Sequence, residues 1–406
     1  MKILLINQPI ENRGDESAHR GLVRALVGSI PAVQIVCVFL GARAESVRQM
    51  AVSSPNVKYV IIPMRRGTYR LPALALQTHL WRPVAALHPA YRQLKQYMRD
   101  ADYVINAPGG ICMGGFQSWG HILYLMLARE AGKPTAYYSR SFGPFRIATR
   151  TDRLFKRYSL SLLKSFDFLS IRDQKTMELA DNLGLHYVPA IDTAFLHVPE
   201  VVIPTEVREA TGTDYTVFVP NSLVWHTDYH RSDSSRINNF FLKTLDLLLA
   251  KRPESKIVML PQLYNLGDLG DEPYFESLRC RSSLPERIVV LPDSIGSDIQ
   301  QAIIAKAGFV VGARYHTIVF AINNRVPFVA FTYEHKIAGL LDVLHLEDRQ
   351  IDIGDLGKST FDDSATFNAL TRLLNHSKPL DVAANRARKI ANDCFQALIT
   401  RLTVAL

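Results

Sequence analysis

The sequence predicts an α/β protein made of two Rossmann-like domains that face each other across a cleft. Short apolar runs of strand type alternate with amphipathic helical patterns along most of the 406 residues, and this βαβ alternation is typical of parallel sheets. The alternation stops over residues 189–213, which contain three prolines and little periodicity. We therefore expect an N-terminal domain over 1–190, a linker over 191–213, a C-terminal domain over 214–380 and a C-terminal helix over 381–406.

The N-terminal domain begins with an apolar strand and alternates regularly from there. After this strand, Gly14-Asp15-Glu16 is suited to open a helix, and in the simplest interpretation Asp15 is its N-cap. The predicted strands are residues 2–7, 34–39, 57–62, 103–106, 135–138 and 168–171. The predicted helices include 120–131 and 176–182.

The C-terminal domain repeats the same alternation. Its predicted strands are residues 216–219, 256–260, 287–290, 309–311 and 328–331. Its predicted helices include 236–250, 272–281 and 297–306, and residues 380–404 have the pattern of a long terminal helix. Each domain is long enough to enclose a core of its own.

Composition and charge exclude several classes of protein. Hydrophobic residues make up 48% and charged residues 21% of the chain, which is typical of globular domains. The net charge of +9 is compatible with anionic partners, but no zinc-finger spacing or RNA-binding aromatic motif is present, so nucleic acid is not expected. The four cysteines form no CxxC pair, and no run approaches the ~20 apolar residues of a membrane span. We therefore expect a cytoplasmic protein with reduced thiols.

Residues 64–99 interrupt the alternation. They contain seven basic residues, no acidic residue, and aromatic and leucine side chains between the charges. Pro72, Pro83 and Pro89 exclude one continuous helix, so several short helices are expected. Two interpretations stay open: a leucine face that packs on the sheet with its arginines in water, or a cationic amphipathic surface that lies on the inner membrane as a peripheral contact.

Cationic side chains follow several strands at the point where each strand ends. Arg140, Arg172 and the pair Arg314 and His316 all occupy such positions, and ligands of open α/β sheets bind at the carboxyl ends of the strands. Arginine pairs bidentately with carboxylate or phosphate, and histidine can carry a proton near neutral pH. Residues 107–115 contain two glycine pairs that allow a close approach of the backbone to a ligand. The pattern favours a site for a small anion beside a proton donor.

Six motifs, taken in order, resemble those of the polysaccharide pyruvyl transferase family. They are Asn12-Arg13-Gly14-Asp15-Glu16, Ala107-Pro108-Gly109-Gly110, Ser141-Phe142-Gly143-Pro144, Ser170-Ile171-Arg172-Asp173, Ile191-Asp192-Thr193-Ala194-Phe195, and Gly312-Ala313-Arg314-Tyr315-His316 followed by Val326-Pro327 and Tyr333-Glu334-His335-Lys336. The resemblance spans about residues 1–345, and it rests on the shared order of the motifs. The glycine loop departs from the family's run of three glycines.

The resemblance implies a two-domain fold of the GT-B type and a pyruvyl-transfer reaction. The enolpyruvyl group of phosphoenolpyruvate would be transferred to sugar hydroxyls of a polysaccharide or a lipid-linked repeat unit, giving a pyruvate ketal and phosphate without a cofactor. His316 would be the catalytic acid, protonating either the vinyl carbon or the departing phosphate. The residues implied to bind phosphoenolpyruvate are Arg314, Tyr315, Arg172 and Arg140, and those implied to bind the acceptor are Asp15, Asn12 and Gly110.

Simpler interpretations compete with several of these roles. Arg172 with Asp173 has the pattern of a helix cap, and Glu334 and Lys336 either line the cleft or lie on the surface. Four of the histidines outside the motifs, His19, His121, His226 and His230, lack metal-ligand spacing, and no metal site is expected. Two other functions also fit the pattern: a GT-B glycosyltransferase that uses a nucleotide sugar, and a non-catalytic glycan-assembly protein.

Overall fold

The computed structural model describes residues 1–65, 68–114, 116–223, 234–333, 335–358, 360–375 and 379–404. The chain divides into two compact units. Unit 1 comprises Met1–Ile10, Asp15–His197 and Lys389–Leu406, and unit 2 comprises Glu11–Gly14 and Val198–Arg388. Each unit is built on a parallel sheet, so the predicted two-domain α/β class is confirmed. The main crossing, between His197 and Val198, falls inside the range 191–213.

Unit 1 contains a seven-stranded parallel sheet in the order β3-β2-β1-β4-β5-β6-β7. Its strands are β1 (Lys2–Ile6), β2 (Gln34–Leu40), β3 (Val57–Ile62), β4 (Tyr103–Asn106), β5 (Thr135–Tyr137), β6 (Phe168–Ile171) and β7 (Val188–Pro189). Leu4 and Ile6 join one apolar cluster, and Ile3 and Leu5 join another. Because alternate residues of a strand point to opposite faces, both faces of the sheet are covered.

Eight helices accompany this sheet in the described residues. They are α1 (Arg13–Ser29), α2 (Ala44–Met50), α3 (Leu71–Gln77), α4 (Trp81–Leu87), α5 (Pro89–Asp100), α6 (Trp119–Glu130), α7 (Arg150–Leu163) and α8 (Gln174–Asn182). The order of the strands reverses between β1 and β4, and such a switch point is where doubly wound sheets bind ligands.

The basic segment forms short helices, as the prolines predict. Pro72 lies in the first turn of α3 and Pro89 begins α5, where a missing N–H costs no helical hydrogen bond. Leu76 and Leu94 are fully buried in the core of unit 1. Other leucines of the segment are exposed, so the interpretation that its leucine face packs on the sheet is only partly correct.

Unit 2 contains a six-stranded parallel sheet in the order β10-β9-β8-β11-β12-β13, which reverses between β8 and β11. Its strands are β8 (Tyr215–Val219), β9 (Lys256–Met259), β10 (Ile288–Val290), β11 (Phe309–Gly312), β12 (Phe328–Thr332) and β13 (Gln350–Asp352). Its helices are α9 (Thr205–Thr211), α10 (Ser234–Lys251), α11 (Asp271–Arg281), α12 (Ser297–Ala305), α13 (Tyr315–Asn323), α14 (His335–Leu344) and α15 (Asp363–Leu373).

The last helix, α16 (Asp381–Val404), belongs to both units. Arg388 lies in unit 2, where its guanidinium donates to the carbonyl of Asn323 at 2.6 Å. From Lys389 onward the helix belongs to unit 1, and its apolar side chains there, which include Phe395 and Leu398, join the apolar core of that unit. None of the described helices is long and apolar enough to cross a membrane.

Candidate active site

Arg314 lies in the turn from β11 to α13 and forms an ion pair with Asp271. Arg314 is the N-cap residue of α13, and its Nη2 donates to Oδ1 of Asp271, the first residue of α11. The other oxygen of Asp271 accepts the backbone N–H groups of Gln262 and Leu263 at 2.9 and 3.0 Å. The side chains of Arg314 and Asp271 are 14% and 2% exposed. Asp271 therefore fixes the orientation of the guanidinium at the carboxyl end of the sheet.

Three buried polar atoms of Arg314 and of the helices α11 and α13 have no hydrogen-bond partner among the described residues. They are Nε of Arg314, the hydroxyl of Tyr274 and Oγ1 of Thr317. Burial raises the pKa of Tyr274, so its hydroxyl stays protonated at neutral pH and can donate. Buried polar atoms are seldom left unsatisfied, and N–H and O–H donors suit the oxygens of an anion.

His316 is enclosed by its own helix and by the first turn of α1. It is 8% exposed, and its ring lies edge-on to Tyr315 with 4.9 Å between the centroids. A Cβ atom on Gly14 would overlap the imidazole, so only glycine allows this approach. Oδ1 of Asn12 accepts the N–H of Gly14 at 2.8 Å. The predicted residues Asn12, Tyr315 and His316 thus belong to unit 2 together with Arg314.

Arg13 holds this segment in place, and sequence reasoning missed it as a site residue. Residues 11–13 pair with 262–264 through an isolated antiparallel bridge, in which the N–H of Arg13 donates to the carbonyl of Gln262 at 2.8 Å. The buried guanidinium lies 3.7 Å from the ring centroid of Tyr264 and donates to the carbonyl of Asp293. The signal available in the sequence was the arginine inside the motif of residues 12–16.

Asp15 is not the N-cap of α1, so that interpretation is wrong. The helix begins at Arg13, two residues earlier, and the cap hydrogen bond is made by Asn12. Asp15 is half-buried in the first turn, and its carbonyl accepts Nε2 of Gln8 at 3.4 Å.

Arg140 connects several loops of unit 1 and is 1% exposed. Its guanidinium donates to the carbonyls of Asn7, Ala107 and Gly110 at 3.1, 2.6 and 3.0 Å. These loops follow β1 and β4, the two strands at the switch point of the sheet. Arg140 and the carbonyl of Gly110 are thus in direct contact within unit 1.

Arg172 forms a buried ion pair with Asp192. Nη1 of Arg172 lies 2.7 Å from Oδ2 of Asp192, and the two side chains are 6% and 0% exposed. Asp173 caps α8 by accepting the N–H of Thr176 at 2.9 Å. The capping interpretation is therefore correct for Asp173, whereas Arg172 joins two of the sequence motifs. Losing one member of such a buried pair is strongly destabilising.

A cavity of about 790 Å³ opens at the carboxyl ends of the strands in unit 1. Its lining combines the amides of Asn7 and Gln8 with the rings of Trp119 and Tyr124. The cavity is also lined by Arg65, Arg70, Arg140 and His121. Burial lowers the pKa of His121 well below its ordinary value, so the imidazole is neutral. The volume of the cavity falls in the range of ~300–1,000 Å³ usual for small-molecule sites.

The remaining predicted residues are less informative. Tyr333 follows β12, and its hydroxyl accepts Nδ2 of Asn221 at 2.8 Å. Lys336 is in the first turn of α14. Some residues singled out in the sequence lie outside the described residues: Arg66, Gly115, His226, His230 and Glu334. Within the described part of the chain, no group of three or more His, Cys, Asp or Glu side chains could hold a metal ion.

Comparisons with known proteins give a family and a fold. The model of the polysaccharide pyruvyl transferase family matches residues 12–335. The amylovoran biosynthesis protein AmsJ of Erwinia amylovora is 22% identical over 401 residues, which cover 88% of this chain and 89% of that protein.

Two solved structures show the fold. UGT89C1 of Arabidopsis thaliana has a TM-score of 0.56 and 12% identity over 99% of both chains. A UDP-GlcNAc 2-epimerase of Methanocaldococcus jannaschii has a TM-score of 0.57 and 12% identity over 98% of this chain and 99% of that chain. The likeness at this identity shows the fold alone, which is the predicted GT-B fold built from two Rossmann-like domains.

Proposed function

The chain belongs to the polysaccharide pyruvyl transferase family, and on that premise we propose that it transfers a pyruvyl group from phosphoenolpyruvate to the hydroxyls of a glycan. The observation that carries the choice of donor is the buried Nε of Arg314, which has no hydrogen-bond partner among the described residues. The guanidinium is already oriented by Asp271 and keeps this donor for a ligand.

Phosphoenolpyruvate suits the donors around Arg314. It carries a carboxylate and a phosphate, and arginine binds either group with a fixed orientation. The hydroxyls of Tyr274 and Thr317 would complete the contacts to its oxygens. Tyr315 would pack beside the substrate. Roles for Arg172 and Arg140 in binding the donor rest on the family resemblance, since both are engaged in buried contacts of unit 1.

His316 supplies the proton in this proposal. The imidazolium donates one proton to the vinyl methylene carbon, and the resulting cationic carbon is attacked by a first sugar hydroxyl. A second hydroxyl then displaces phosphate and closes the ketal. The two hydroxyls release two protons, of which one restores His316 and the other leaves with the phosphate. General acid catalysis of this kind contributes on the order of 100- to 10,000-fold.

The acceptor is a polysaccharide or a lipid-linked repeat unit. The cavity of unit 1 fits a saccharide, because aromatic rings and amide side chains together suit the apolar faces and the hydroxyls of a sugar. We assign the resemblance-based acceptor roles to Asp15, Asn12 and Gly110, with the carboxylate of Asp15 as a group that accepts a hydrogen bond from a sugar hydroxyl. None of these three lines the cavity itself.

Phosphate release from phosphoenolpyruvate tests the proposed function. With a pool of candidate glycan acceptors, the purified protein is expected to release phosphate and to add one pyruvate ketal to the acceptor, as measured by a coupled phosphate assay and mass spectrometry. Without acceptor, no release is expected, because the cationic carbon is then not captured. Glycosyl transfer from a nucleotide sugar to the same acceptors, with phosphoenolpyruvate inert, would contradict the proposal and support a glycosyltransferase.

A further inference from the structure

Three leucines of the basic segment are exposed although their neighbours are buried. Leu74, Leu80 and Leu87 are 60%, 56% and 79% exposed, whereas Leu76 in the same segment is fully buried. All three lie in α3, in α4 or in the turn between these helices. Soluble proteins seldom expose large apolar side chains in a cluster unless the surface binds something. The segment therefore buries some of its leucines in unit 1 and exposes others, and packing within unit 1 does not account for the exposed ones.

Exposed cations lie on the same helices as these leucines and on neighbouring helices. Arg82 of α4 has a side chain that is 72% exposed, and Arg92 of α5 is also exposed. α7 lies against this segment, because His79, next to Leu80, contacts the hydroxyl of Tyr158 at 3.0 Å. The exposed Arg157 precedes this tyrosine in α7 and adds a further positive charge. We name the set of Leu74, Leu80, Leu87, Arg82, Arg92 and Arg157 the leucine–arginine face.

The acidic residues of the helices α6 and α7 are engaged in contacts. Residues 64–99 contain no acidic residue at all. Glu130 of α6 lies 3.5 Å from Arg82 and 2.8 Å from Lys95. Asp152 of α7 is bound to the N–H of Thr149 and to Gln117 at 2.9 Å each. The leucine–arginine face therefore combines exposed apolar side chains with a net positive charge.

We propose that the leucine–arginine face docks unit 1 on an anionic lipid bilayer. Each Lys or Arg close to an anionic membrane contributes on the order of 1 kcal/mol, and the exposed leucines would enter the boundary between headgroups and acyl chains. A second copy of the chain is a poorer occupant, because a two-fold contact would bring the arginines of both copies together. A soluble polyanion would use the arginines but not the leucines.

The docking surface borders the cavity of unit 1. α3 contributes Pro72 and Ala73 to the cavity lining and Leu74 to the exposed face. A saccharide attached to a membrane lipid would thus be presented beside the cavity. This last consequence rests on the proposed function, whereas the bilayer contact itself does not.

Flotation of the full chain with lipid vesicles tests the proposal. Binding is expected to rise with the fraction of phosphatidylglycerol in phosphatidylcholine vesicles and to fall with added salt. The double variants Leu80→Ser/Leu87→Ser and Arg82→Glu/Arg157→Glu are each expected to weaken binding by about tenfold or more. The controls are Val202→Ser/Leu269→Ser and Lys358→Glu/Lys389→Glu, which change exposed apolar and exposed cationic side chains elsewhere on the surface.

Three results would overturn the proposal. The first is equal binding to neutral and anionic vesicles, and the second is test variants that bind like the controls while their melting temperatures are unchanged. The third is a dimer, seen by analytical ultracentrifugation, that dissociates in the leucine double variant while vesicle binding is unchanged. In that case the leucine–arginine face would join two copies of the chain. Phosphate release with a soluble acceptor is expected to survive in all these variants, so failure of the membrane proposal is distinguishable from failure of the proposed function.

Discussion

Replacing His316 is expected to lower acceptor-dependent phosphate release from phosphoenolpyruvate by about 100-fold or more, because the vinyl carbon then lacks its proton donor. His316→Gln is the better variant, since it keeps most of the volume of a side chain that is 8% exposed. His316→Ala would also leave a cavity under Tyr315. Steady-state rates at saturating phosphoenolpyruvate measure the effect on the chemical step.

Comparing the rate, the melting temperature and the substrate binding of His316→Gln separates an effect on catalysis from an effect on folding. His186→Ala is a suitable control, because His186 is exposed and lies in unit 1. The melting temperature of His316→Gln is expected to stay close to that of the wild type. Phosphoenolpyruvate binding in this variant is expected to change far less than the rate. A variant that turns over at the wild-type rate would remove His316 from the mechanism.

Gly14→Ala is expected to reduce the rate by about 100-fold, because the added methyl group would push the imidazole of His316 out of position and small displacements of a catalytic group are costly. The overlap involves the ring of His316 itself. In other respects the substitution favours the helix, since alanine has a higher helix propensity than glycine by about 1 kcal/mol. The expected outcome is therefore a folded protein with an impaired site.

Gly28→Ala is the matched control on the same helix. A Cβ on Gly28 meets no atom within 4 Å, so this variant is expected to keep full activity and to be slightly more stable. Equal activities of the two alanine variants, measured in the phosphate assay, would show that the approach of Gly14 to His316 does not matter for the reaction.

Much of the fold was predictable because the signals are local. The turn from β11 to α13 shows this: a short apolar strand, a breaking glycine and an apolar helix are visible in residues 309–321. The strands β7 and β13 were not predicted, because two and three residues are too few for a periodic pattern. α15 was also missed, although Asp362 is a capping residue that accepts the N–H of Ala365 at 3.0 Å.

The site was predictable in its residues but not in their contacts. Arg314 and His316 are marked by their position after a strand, whereas Asp271, which orients Arg314, lies 43 residues earlier in the chain. The contact of Gly14 with His316 likewise depends on tertiary packing. Capping was misassigned to Asp15 because Asn12, Asp15 and the intervening glycine offer two plausible starts for α1, and only the pairing of residues 11–13 with 262–264 selects the earlier one.

Calorimetric titration of phosphoenolpyruvate into the wild type and Arg314→Lys tests the central claim most directly. Lysine keeps a positive charge for Asp271 but lacks the Nε–H that we assign to the substrate, so affinity is expected to fall by about 10- to 100-fold, as for the loss of a hydrogen bond to a charged group. Arg325→Lys, an exposed arginine of the same unit that pairs with Asp381, is expected to bind like the wild type. Unchanged affinity in Arg314→Lys, or a wild type that binds nucleotide sugars and not phosphoenolpyruvate, would contradict the account.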